Sequence, residues 1–178
     1  SDVCSSDLEN GIIEYFQLQW PRVKNIFMGE KIVVPYRCKK NHFAYNDVEW
    51  FCRSDCYVIS QKDPSIKLKY LLALLNSKLY YLWFYFKGKR KGEMLELFQT
   101  PLSEAYIAAI SAREQMQFVK LVDKILNLTT AKDYLENKEK QTIIANYREE
   151  IDQVVYKLYD LTPVEIKMVE NFYYQDRE

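Results

Sequence analysis

Lys87-Gly88-Lys89-Arg90-Lys91-Gly92 is the densest run of one charge in the chain. Its cations, Lys87, Lys89, Arg90 and Lys91, are the residue types that hold nucleic-acid phosphates from exposed loops. A second cluster lies upstream, where Arg37, Lys39, Lys40, Asn41 and His42 follow one another closely. Bases in a major groove are read by bidentate groups, Arg for guanine and Asn or Gln for adenine. Arg37, Asn41 and His42 would suit that task, with Lys39 and Lys40 beside them. Each of these residues alone is also an ordinary surface side chain.

Both clusters belong to a sorted charge pattern that the net charge of zero conceals. Lys31 to Gly92 carries 13 Lys/Arg against 4 Asp/Glu, residues 1–30 carry 2 against 5, and residues 93–178 carry 10 against 16. A neutral sum argues against a wholly basic nucleic-acid module, and a block of one sign argues for one surface that meets polyanion. A solvated basic face with no partner would give the same counts.

Other chemistries find little support. The single histidine, His42, stands beside basic residues and lacks an acidic orienter for a nucleophilic relay. There is no phosphate-binding glycine motif and no H-E-x-x-H. Cys38, His42, Cys52 and Cys56 form C-x3-H and C-x3-C pairs, but structural zinc favours tighter knuckles with turn glycines. Cys52 and Cys56 instead sit in strand-like sequence as small apolar residues. Glu149-Glu150 falls on the polar side of an amphipathic helix, where solvation accounts for it. No catalytic residue and no metal ligand is assigned.

These residues must be positioned by a real core, and 48% apolar content with 15% aromatic residues supplies one. The length suits one domain, or one domain with a small appendage. Lys31–Tyr36 is a β-branched run, His42–Tyr45 and Glu49–Phe51 are short strand candidates, and Cys56–Ser60 is a further strand. Asp63-Pro64 has the chemistry of an N-cap and first-turn proline for a helix over Lys67–Leu75, whose stripe is Leu68, Leu71, Leu72 and Leu75. Asn76-Ser77 breaks it, and Lys78–Phe86 starts a second helix. The apolar run Tyr70–Phe86 is interrupted by Asn76 and Lys78 and too short to cross a bilayer, so no membrane partner is expected. The glycines bracket a basic loop, followed by strands at Met94–Phe98 and Tyr106–Ile110.

From Ser111 the pattern turns helical. Ser111 to Glu114 is a capping box, and Phe118, Leu121, Ile125 and Leu128 form a seam. After a polar stretch, Ile144, Tyr147, Ile151, Val154, Leu158 and Leu161 form another, which predicts an antiparallel hairpin docked on the front half or on a partner. Thr162 to Glu165 is a second capping box that opens a last helix. The first eight residues, SDVCSSDL, resemble translated adapter sequence, which would make Cys4 foreign. The chain lacks an initiator Met and reads as a piece of a longer protein.

Several segments, in order, resemble the C-terminal specificity domain of TaqI-like adenine methyltransferases. They are KIVVPY, HFAYND, DCYVIS, KYLLALLNSKLYYLWF with its break at Leu75-Asn76-Ser77, the basic loop, and LELFQTPLSEAYI. IDQVVYKLYDLTPVEIKMVE is similar to the ending of large single-chain restriction–modification methylases, type IIG and relatives. Together these cover Lys31 to Phe172.

The resemblance implies an α/β (α+β) fold: a small mixed-sheet target-recognition domain over residues 31–110, then an antiparallel helical hairpin with a short last helix over 111–178, preceded by an N-terminal segment, 1–30. It implies sequence-specific recognition of double-stranded DNA in the cytoplasm, next to a catalytic domain of the same polypeptide. That missing domain would bind S-adenosylmethionine and methylate adenine N6; no cofactor is expected in this chain. The family's Asn-Pro-Pro-Tyr is absent, Pro35-Tyr36 being preceded by Val33-Val34. The rival is an interaction or oligomerisation module acting through the hairpin. A stand-alone nuclease lacks the acidic cluster that its metals need.

Overall fold

The computed structural model describes residues 24–52 and 55–175; what was expected of residues 1–23, Cys4 included, lies outside them. The fold is mixed α/β, with two small antiparallel sheets and C-terminal helices, as the resemblance implied.

Strand β1 (Lys31–Pro35) is the centre of the first sheet, between β3 (Ala44–Asn46) and β4 (Cys56–Ser60). Ile32 lies opposite Tyr45 and Ile59, and Val34 opposite Tyr57. Ile32 and Val34 are fully buried, as period-two alternation demands of a sheet with one covered face. After Tyr36 the chain leaves this sheet. Its next two residues, β2 (Arg37–Cys38), join a second sheet in the order β2-β6-β5.

Helix α1 (Leu68–Leu75) and helix α2 (Lys78–Lys87) meet at the Asn76-Ser77 break, where the Ser77 hydroxyl accepts from Tyr80 N–H. α1 is buried nearly all round, including Tyr70, Ala73 and Leu74, so its leucine stripe understates the burial. β5 (Lys89–Lys91) and β6 (Met94–Glu96) form a hairpin directly after α2, and the short α3 (Gln99–Ser103) follows. Helices α4 (Ala112–Thr129) and α5 (Lys138–Leu158) pack on each other, and α4 also packs on α1. α6 (Pro163–Gln175) covers α2. Phe118, Leu121, Ile151 and Val155 therefore share one hydrophobic cluster with Ile32, Val34, Phe84 and Leu95. Both capping boxes form, at Ser111/Glu114 and Thr162/Glu165.

Four local expectations are corrected. Asp63 does not cap α1. Its carboxylate accepts Ser65 N–H at 2.8 Å in a local turn. Lys67 takes the cap position, and its N–H donates to the Gln115 side chain at 2.9 Å. Glu49–Phe51 is not a strand: Phe51 packs its ring on Phe27, and Trp50 N–H donates to the Phe27 carbonyl. Tyr106–Ile110 is extended but unpaired, because side chains satisfy its backbone. Tyr70 donates to Ala108 O, Tyr159 and Tyr80 donate to Tyr106 O, and Gln115 donates to Ile110 O. Finally, the basic "loop" is itself a strand, β5.

Candidate nucleic-acid interface

The second sheet brings the two basic clusters together. In its register Arg37 lies opposite Glu96, and Glu96 opposite Lys89. Lys91 lies opposite Met94. Directly opposed residues share a face; just beyond the strand ends, Lys39 pairs with Glu93 and the Phe98 ring lies by Lys89. The other face carries Cys38 and Leu95, continues to Leu97, and turns inward; Leu95 and Leu97 are fully buried. The outer face therefore presents Arg37, Lys39, Lys89 and Lys91 around Glu96, with the Phe98 ring under Lys89. Two residues along a strand and two strands across span about 7 by 10 Å.

Local chemistry holds this ribbon in place. Gly88 ends α2, and a Cβ there would meet the Phe84 carbonyl oxygen at 2.6 Å and the Glu96 oxygen at 3.3 Å. Only glycine permits that immediate passage from helix to strand. Gly92, at φ +60°, makes the turn between β5 and β6. Arg37 Nε donates to Glu96 Oε1 at 2.7 Å, and Lys39 Nζ pairs with Glu93 at 3.0 Å. The Lys39 ammonium draws the Glu93 carboxyl below its usual range. The Lys39–Glu93 pair is largely exposed and contributes little to stability, whereas the Glu96 carboxylate under Arg37 is mostly covered.

The remaining candidates lie elsewhere. Asn41 cannot reach a base: it is fully buried, and its amide donates to Leu75 O at 2.7 Å and Ser77 O at 2.9 Å. Lys40 is a structural cation. Its ammonium lies 4.0 Å from the Tyr81 ring centroid and 4.3 Å from that of Tyr173, and donates to Tyr173 O. His42 is exposed, but beside α5 and α6 rather than on the ribbon, lining a cavity with Lys78, Arg148 and Tyr173. Desolvation on its cavity side and the cations Arg148 and Lys40 lower its pKa. Lys87, on α2, lies over Trp83 and faces Glu104 at 3.9 Å. Arg90 points to the opposite face from Lys89 and covers the Tyr85 ring. The sequence reading missed Glu96 and Phe98, although the alternation Glu96, Leu97, Phe98 after buried Leu95 carried the signal.

Among the described residues no three His, Cys, Asp or Glu side chains converge as a metal cage. Burial pushes the Cys38 thiol up to about 11, which keeps it protonated. Among the described residues no helix is long and apolar enough to cross a membrane.

A family model described as the TaqI-like C-terminal specificity domain matches residues 8–104, more than half of the chain. The chain belongs to this family. The matched span holds both sheets, α1, α2 and α3, and so the whole basic face. The chain is also similar to two type II methyltransferases of Haemophilus influenzae. M.HincII is 30% identical over 139 residues, covering 73% of this chain and 27% of its own length. M.HindII, from the Rd strain, is 32% identical over 139 residues, covering 73% and 26%. The chain thus spans about a quarter of the length of the curated relatives it matches.

Proposed function

We propose that this specificity domain is the DNA-recognition module of a site-specific adenine-N6 DNA methyltransferase in a bacterial restriction–modification system, of the type IIG kind or a relative. Its basic ribbon face grips the duplex, with Lys39, Lys89 and Lys91 on phosphates. The observation that carries this reading is the convergence of two sequence-distant basic clusters on one outer sheet face. Like-charged side chains this close repel, so a polyanion facing them is their natural complement. Family membership and the methyltransferase relatives support the same reading.

The catalytic part of the same polypeptide would bind S-adenosylmethionine in the cytoplasm. The family's catalytic motif is not in this chain. Pro35-Tyr36 lacks the preceding Asn-Pro, and the Tyr36 backbone is committed to Asp55 and Leu97. No methyl-transfer step is assigned to this chain. The interaction-module reading has less support, because much of the hairpin stripe packs into the chain's own core.

Replacing Lys39, Lys89 and Lys91 together by Gln tests the proposal by duplex titration at several salt concentrations. Binding should weaken for all sequences alike, and the slope of log K against log salt should fall by up to about 0.9 per lost contact. An unchanged slope overturns the phosphate assignment.

A further inference from the structure

Resting on that reading, we infer that Arg37 is the side chain through which this domain reads a guanine, and that Glu96 is its positioning residue. Of the three residues whose types suit base reading, the fold disposes of two. Asn41 is buried within the helix break, and His42 faces the α5–α6 side. Arg37 remains on the outer face, with its side chain 45% exposed.

Its guanidinium is already oriented. Glu96 on the central strand is only 13% exposed and takes the Nε–H at 2.7 Å. The Tyr36 ring lies 5.3 Å from the guanidinium carbon. This arrangement uses the inner edge of the fork and leaves the terminal Nη groups without a partner among the described residues. Those groups carry the parallel N–H donors that match guanine O6 and N7. An exposed Arg that served only as a phosphate charge would gain nothing from a largely buried carboxylate that cancels its charge. A base reader gains a fixed geometry, since less rotamer freedom is lost on contact. Lys39, Lys89 and Lys91 surround the pair and make up the charge that Glu96 removes.

The test selects duplexes from a random library with the 178-residue chain, then replaces each guanine of the selected site by 7-deazaguanine, which lacks N7. One guanine should prove sensitive, with binding reduced about 5- to 150-fold, the range of a good bidentate contact. Arg37→Lys keeps the charge and loses the fork. It should abolish that sensitivity while leaving the salt slope as it was. Glu96→Gln should lose guanine discrimination and gain affinity for random duplex, because a negative charge leaves the face. A purely structural Glu96 would instead lower both, together with the melting temperature. Retained guanine preference in Arg37→Lys, or a selected site with no sensitive guanine, overturns the inference while salt-dependent DNA binding stands. Absence of any salt-dependent duplex binding overturns the proposed function itself, and this inference with it.

Discussion

Asn41→Ala should destabilise the domain without touching its base preference. The Asn41 amide bridges the last turn of α1 and the cap of α2. Ser77 O also accepts from Tyr81 N–H, so truncation costs it one of two bonds, whereas Leu75 O loses the side-chain donor that satisfies it. An orphaned buried acceptor costs about 1–3 kcal/mol, and a lost hydrogen bond about 0.5–1.5. The mutation also removes a liability, since Asn41 Oδ1 is buried with no hydrogen-bond partner. The net loss should be about 1–3 kcal/mol. With a urea slope near 2 kcal/mol/M, the midpoint should fall by about 0.5–1.5 M. Asn41→Asp should be worse at pH 7.5, because a carboxylate would face two carbonyl oxygens. It should recover on acidification, when the protonated acid donates once more; the fold raises this carboxyl's pKa, so the loss is largest above it. Circular dichroism during urea titration at pH 7.5 and 5 reads both effects, and duplex titration of the folded protein reads base preference. An Asn41→Ala midpoint within about 0.2 M of the parent, accompanied by altered base preference, would refute the structural role and return Asn41 to the DNA face.

Three further outcomes follow from the packing. Gly88→Ala places a methyl group against backbone oxygens, so it should cost about 1–3 kcal/mol in denaturation and, by shifting β5, weaken duplex binding more than the exposed Lys91→Ala destabilises the fold. Ile151→Ala empties a core position and should cost about 2–5 kcal/mol, against about 0.5 for the exposed Glu150→Ala; similar losses for the two would show that the α5 stripe is misplaced. Burial lifts the Asp152 carboxyl from 3.8 to about 7, although it accepts Lys78 N–H and faces the Lys78 ammonium. The folded state then binds the proton more tightly, so this contribution favours the fold below about pH 4 and fades as pH rises through 7. Relative to Asp152→Asn, the parent should gain about 3 kcal/mol of stability between pH 8 and pH 5, and parallel pH curves for the two proteins would remove Asp152 as the titrating group.

Local chemistry was legible in the sequence. The KIVVP strand, the Leu75-Asn76-Ser77 break, both capping boxes and most of the two helical seams depend on residues within a turn or two of one another and are present, although Leu161 lies beyond α5 and Val155 is buried where Val154 was expected. The family resemblance was legible for the same reason, being carried by contiguous segments. What the sequence could not show is where long-range partners lie. Tyr106–Ile110 has strand composition, yet tyrosines and a glutamine from helices take its backbone groups, so no strand pairs there. Arg37 and Lys89 are 52 positions apart and become neighbours only through the central strand β6. The same folding withdraws members of the basic block from solvent. Lys78 is buried among Glu149, Asp152 and Glu170, and Lys31 is buried with its ammonium on the carbonyls of Gly29 and Val48. Charge type is a property of the residue, and the sequence determined it. Whether a charge faces DNA, an aromatic ring or a buried carboxylate depends on which surfaces the core brings into contact, and only the tertiary structure decided that.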